Sequence, residues 1–164
     1  MKEHELHNYK LVLQYEGIRY NGWQKQKNQE NTIQEVVENA VFDGTGERVE
    51  VIGSGRTDAG THAMGQVANV KLGQDLEPER LMDNINKHLP SDIKILECEK
   101  VDNRFHARLN AKAKTYMYTL CVGKKPDVFN RRTVLHYCAD LDVNAMKKAA
   151  EYLKEQYNIQ LIGE

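Results

Sequence analysis

Cysteine, proline and tryptophan are scarce in this chain, with 3, 3 and 1 among 164 residues. Cys98, Cys121 and Cys138 are odd in number, far apart and without CxxC spacing. That excludes a disulfide framework and a zinc-cysteine site, and suits ordinary thiols in a reducing cytosol. The 3 prolines and 11 scattered glycines exclude collagen-like and low-complexity sequence. No apolar run approaches the roughly 20 residues of a membrane helix, so no membrane partner is expected. The start, MKEHELHN, has neither the apolar stretch of a secretion signal nor the composition of a transit peptide, which points to the cytoplasm. No HExxH motif occurs, and no metal is expected. What is present is 40% hydrophobic and 29% charged residues, enough to bury the core of one domain, or of one domain and part of another.

The net charge of −1 hides an uneven distribution. Between Arg104 and Arg132 stand eight basic residues and one acid, Asp127, so this segment carries +7 and the rest of the chain −8. Such segregation suits an anionic partner, since phosphate neutralisation dominates nucleic-acid affinity. It equally suits a solvated strand face.

Tyr9, Leu11, Leu13 and Tyr15 alternate as on a strand. Ile33, Val36, Val37, Ala40 and Val41 follow helical spacing over 32–43, with Thr32 and Glu35 as a capping box and Gly44 as a natural stop. Residues 48–53 and 65–72 read as strands, 77–88 as a helix with Pro78 in its first turn, and 92–99 as a strand. The order β-α-β-β-α-β predicts an α+β, ferredoxin-like (split βαβ) fold, an antiparallel sheet with helices on one face. A strand at 112–122, a loop holding Lys124, Lys125 and Pro126, and a helix over 142–157 would begin a second unit. In that helix Asp142 is the cap, and Val143, Met146, Ala150 and Leu153 form the apolar side. The expected organisation is a tail at 1–8, the ferredoxin-like domain at 9–103, and an incomplete second half at 104–164.

The loop from Gly53 to Ala63 is the strongest candidate for chemistry. Its glycines at 53, 55 and 60 let a ligand approach the backbone. Arg56 and Asp58, two apart, can pair, which would keep the carboxylate ionised and oriented as nucleophile or general base. D-A-G alone is also the pattern of an Asx-type turn, and His62 also fits a loop histidine bonded to backbone. Trp23 suits stacking on a base and equally a core role. Tyr116 and Tyr118 lie among cations, as in nucleic-acid sites, and also share one face of the expected strand, as core residues do.

The string GSGRTDAGTHAMGQVA resembles the signature of TruA-type tRNA pseudouridine synthases, G-A-G-R-T-D-A-G-V-H-A followed by G-Q-V. YEGIRYNGWQKQ, NINKHLPSDI, FHARLNAKAKTYMYTL and the AAEYL of the last helix resemble further blocks of that family, in the family's order. The resemblance implies half of a pseudouridine synthase fold and isomerisation of uridine in the tRNA anticodon arm (positions 38–40), without cofactor. It also implies a homodimer. Asp58 takes the place of the catalytic aspartate, Arg56 of its partner and Tyr116 of the tyrosine that packs on the uracil. Trp23, Gln24, Gly55, Thr57, His62, Arg108 and Lys114 are the candidate substrate contacts. Glu16 and Ile18 replace the family's Asp and small hydroxyl residue, Ser54 and Thr61 are mild changes, and the family's L-x-G-x-H-D-F block is missing. An inactive RNA-binding module of the same fold is the alternative.

Overall fold

The computed structural model describes residues 5–28, 30–123, 125 and 127–157. The chain divides into two compact units, residues 1–115 and 116–164. Each is described by itself. Of the expected elements, Lys124, Pro126 and the chain ends at 1–4 and 158–164 lie outside the described residues.

The first unit contains strands β1 (His7–Tyr15), β2 (Ile52–Gly53), β3 (Ala63–Leu72) and β4 (Ile93–Val101), with helices α1 (Ile33–Thr45) and α2 (Pro78–Asn86). The sheet order is β2-β3-β1-β4, and every pairing is antiparallel. This is the split βαβ order expected from the sequence. The register sets Leu11 against Ala68 on one side and Cys98 on the other. Tyr9, Leu11, Leu13 and Tyr15 therefore share a face with Ala68, Val70, Leu72 and Ile95. That face forms one core with Ile33, Val37, Ala40 and Val41 of α1 and Leu81 and Ile85 of α2.

Each helix has a local cause. Thr32 accepts a hydrogen bond from the Glu35 backbone N–H at 3.3 Å, while the Glu35 carboxylate accepts from the Asn31 N–H at 3.1 Å. The reciprocal arm of the cap thus reaches one residue further out than a capping box. Gly44 does not stop α1. The helix runs on to Thr45 and ends at Gly46, whose φ of 79° lets its N–H close on the Phe42 carbonyl at 2.7 Å. Gly44 instead lies where α1 crosses α2, and a Cβ there would stand 3.2 Å from the Asn84 backbone. Helix α2, expected over 77–88 with Pro78 in its first turn, runs from Pro78 to Asn86, whose side-chain amide bonds both the N–H and the carbonyl of Ile95.

Two expected strands are shorter than their alternation suggests. Only Ile52 and Gly53 of 48–53 pair with β3, because the Val51 N–H is taken by the Glu38 side chain of α1 at 3.2 Å. The other face of the sheet is covered near Asn8 and Asn69. Asn8 donates to the carbonyls of Asp102 and Phe105, and Asn69 donates to Asn8 and accepts from the Ala107 N–H. Both asparagines are buried and fully engaged, which pins the segment 102–110 to the sheet.

In the second unit β5 (Leu120–Val122) pairs in parallel with β6 (Leu135–Tyr137), and α3 spans Val143–Tyr157. The expected strand at 112–122 is reduced to its last three residues. Residues 112–118 have a strand's alternation but no ladder partner among the described residues, and a strand needs one; pairing begins at the Thr119 carbonyl, which accepts the Leu135 N–H at 2.8 Å. Asp142 caps α3 as read, accepting from the Ala145 N–H at 2.9 Å. Val143, Met146 and Leu153 of α3 and Tyr116, Met117, Tyr118 and Phe129 are exposed.

Candidate active site

The loop between β2 and β3 is clamped from both sides. On one side Gln66 of β3 meets the Ser54 hydroxyl at 2.9 Å and donates to the Gly55 carbonyl at 2.7 Å. On the other, the segment following β1 reaches in. The Trp23 N–H donates to the Thr57 carbonyl at 3.0 Å, the Tyr15 and Thr57 hydroxyls meet at 2.9 Å, and the Gly60 N–H reaches the Tyr20 carbonyl. Between these clamps the Thr61 N–H closes on the Asp58 carbonyl at 3.1 Å, a turn that needs Gly60 at φ +80°. The two strongest sequence blocks, YEGIRYNGWQ and GRTDAG, are therefore halves of one structure.

Close approach explains the neighbouring glycines. Gly22 has φ +79°, and a Cβ on it would stand 2.6 Å from the Thr57 carbonyl oxygen. A Cβ on Gly53 would stand 2.5 Å from the Trp23 ring. Trp23 is 2% exposed, with the Tyr15 ring 6.2 Å away centroid to centroid. Of the two roles the sequence left open for Trp23, base stacking and a place in the core, its burial favours the second. Its role is to carry the loop.

Asp58 is exposed at the turn, with Thr57 and His62 half-buried beside it. Arg56 is exposed too, but its Nε–H goes to the Gln24 side-chain carbonyl at 3.1 Å. Gln24 in turn donates to Gln34 at 2.8 Å. The expected Arg56–Asp58 ion pair is thus not formed here. Thr57 between them is held through its carbonyl and hydroxyl, and Gln24, already oriented by Gln34, supplies the arginine's acceptor. His62 accepts the Gly17 N–H at Nδ1, 3.3 Å away, so one of its ring nitrogens is engaged in holding the loop. Lys114 lies along Gly55, its Nζ 3.1 Å from the position of a Gly55 Cβ. Arg108 is exposed in the pinned segment, and Tyr116, 72% exposed, belongs to the second unit.

Sequence reasoning missed the braces Tyr15, Gln34, Gln66, Tyr20 and Asp92. All but Gln34 stand in the blocks quoted above as polar groups, which was the available signal. The Tyr20 hydroxyl donates to Asp92 at 2.7 Å, and Arg19 pairs with the same carboxylate at 2.6 Å. Burial, then the hydrogen bond to Asp92, pushes the Tyr20 phenol up to about 12. Burial alone would raise Asp92, but the bonds from Tyr20 and Arg19 outweigh it and hold its carboxyl below the usual range. Beside Gln24 an open cavity of about 470 Å³ is lined by Gln34, Glu38, Phe42 and Arg48, with the Arg48 guanidinium 4.1 Å from the centre of the Phe42 ring. Among the described residues no three His, Cys, Asp or Glu side chains group to hold a metal, and no helix is long and apolar enough to cross a membrane.

Such a loop can present a carboxylate to a bulky ligand without moving its backbone. Residues 11–110 match the family described as tRNA pseudouridine synthase. The chain is 43% identical over 148 residues to "tRNA pseudouridine synthase A 2" of Bacillus cereus, covering 90% of this chain and 60% of that one. It is 45% identical over 146 residues to a tRNA pseudouridine synthase A of Bacillus sp. strain KSM-64, covering 89% and 60%. A third, from Acetivibrio thermocellus, is 42% identical over 147 residues, covering 90% and 60%. The chain spans about 60% of the length of these curated relatives. A family match across most of the first unit, with the carboxylate loop inside it, leads to one conclusion: the chain belongs to the tRNA pseudouridine synthase family.

Proposed function

We propose that this chain carries the catalytic loop of a cytoplasmic, homodimeric tRNA pseudouridine synthase acting on uridines of the anticodon arm, positions 38–40. The observation that carries the reading is Asp58, exposed on a loop locked by its neighbours. The isomerisation breaks the ribose C1′–N1 bond and joins the same carbon to C5 of the same base. N1 gains a proton and C5 loses one, so no atom is taken from a cosubstrate. Asp58 either attacks C1′ or removes a sugar proton, and each route needs a carboxylate held against the ribose. A paired base hides these atoms, so the nucleotide is flipped out at a cost of a few kcal/mol. Phosphate contacts from the +7 segment at 104–132 offset that cost. Tyr116 is the surface that retains the freed uracil, and Arg56 holds the substrate beside Asp58.

The second reading is an RNA-binding module with little turnover, which the +7 segment at 104–132 would serve. In the first reading, the part of the relatives beyond this chain supplies another wall of the cleft. The test uses tRNA labelled with tritium at uridine C5, which is released when the base rejoins through C5. The chain is assayed beside a version extended with the remaining part of the Bacillus cereus relative. Release by the extended version, and slow or no release by the chain alone, is expected. Equal rates would remove the missing-wall account, and no release by either would leave the binding-module reading.

A further inference from the structure

Gly55 has no conformational reason to be glycine. Its φ lies outside the left-handed region, unlike those of Gly22 and Gly60 in the same site. Its missing side chain is occupied instead by Lys114, whose Nζ, Cε and Cδ lie 3.1, 3.3 and 3.8 Å from the position of a Gly55 Cβ. Both residues belong to the first unit. Gln66 fixes the Gly55 carbonyl at 2.7 Å, so the backbone under the lysine stem is itself braced. The ammonium makes no ion pair or hydrogen bond with the described residues, and the terminal nitrogens of Arg56 make none either. Two exposed cations with no carboxylate partner among the described residues therefore flank the start of a loop whose one acid is Asp58. From Gly55 to Asp58 the backbone reaches at most about 11 Å, so the two lie close along the same loop.

We propose that Lys114, seated over Gly55, binds a backbone phosphate of the RNA next to the nucleotide presented to Asp58, and that Gly55 is glycine to make that seat. This rests on the reading of the site as an RNA-modifying one. Lysine here is a point charge, so it positions the strand without selecting its sequence.

The test is titration of an unmodified tRNA transcript with the full 164-residue chain across a series of salt concentrations. Lys114→Gln should weaken binding about 3- to 10-fold at low salt and reduce the slope of log K against log salt by about one. Lys114→Arg should restore both. Lys87→Gln, which removes an exposed charge just past the end of α2, should leave the slope unchanged. A Lys114→Gln slope equal to that of the unaltered chain overturns the inference while leaving the site reading intact. So does an equal loss from Lys87→Gln, which would mark a general effect of charge. Absence of salt-dependent tRNA binding by the unaltered chain overturns the site reading and the inference together.

Discussion

Gly53 and Trp23 decide how firmly the carboxylate is carried. The ring is enclosed and lies where any Gly53 side chain would go, so Gly53→Ala should cost about 1–3 kcal/mol, read from the urea midpoint. An unchanged midpoint would mean that the ring has room to move and does not set the loop. Asp92 provides a second handle. Its carboxyl is held below the ordinary 3.8, so its contribution is fully present above that value and is lost as pH falls through the lower folded value. Asp92→Asn should destabilise the protein at neutral pH by about 1–2 kcal/mol and flatten the acid limb of its stability curve below about pH 4. Both residues show where a sequence stops being legible. That Trp23 lies below the loop and not on its surface depends on what stands opposite it, namely Gly53 thirty positions away. Arg56 chose Gln24 over Asp58 for the same reason: the competing acceptor comes from a different segment.

At the scale of elements, the strands and helices of the first unit were readable because each buries one clear apolar face. Alternation set β1 and β3, and helical spacing with a cap set α1. What was not readable was where pairing stops. Residues 48–51 lose their ladder to a glutamate side chain of α1, and 112–118 have the pattern of a strand without a partner among the described residues. Gly44 looked like a stop and proved to be a crossing point, a distinction made only by the presence of α2. The buried Asn8–Asn69 pair is the element-level device that holds the F-H-A-R segment. Asn69→Ala would strip partners from the Asn8 carbonyl and the Ala107 N–H, at a cost of about 2–4 kcal/mol. Hydrogen exchange should show the Ala107 amide losing protection before the strands do. Retained protection at Ala107 would mean that other contacts hold the segment.

For the whole molecule, the account joins a locked loop to a chain whose charge is concentrated in one stretch. The first unit has a closed core and a braced site, while the second exposes Tyr116, Tyr118, Phe129 and, on α3, Val143, Met146 and Leu153. Affinity for tRNA should therefore fall steeply with salt, and turnover should depend on the extension far more than binding does. Of the candidate site, the loop, its glycines and its carboxylate were legible in the sequence. The braces were not, because hydrogen bonds from Gln66, Tyr15 and Gln34 leave no mark in spacing. The central claim is that Asp58 performs the chemistry while the surrounding loop only presents it. Its most direct test is Asp58→Asn in the extended version, measured by C5 tritium release and by tRNA affinity on the same preparation. The account predicts no detectable turnover with affinity unchanged within about twofold, since a near-isosteric amide keeps the shape and loses the base and nucleophile. Turnover retained at the level of the unaltered protein would contradict it.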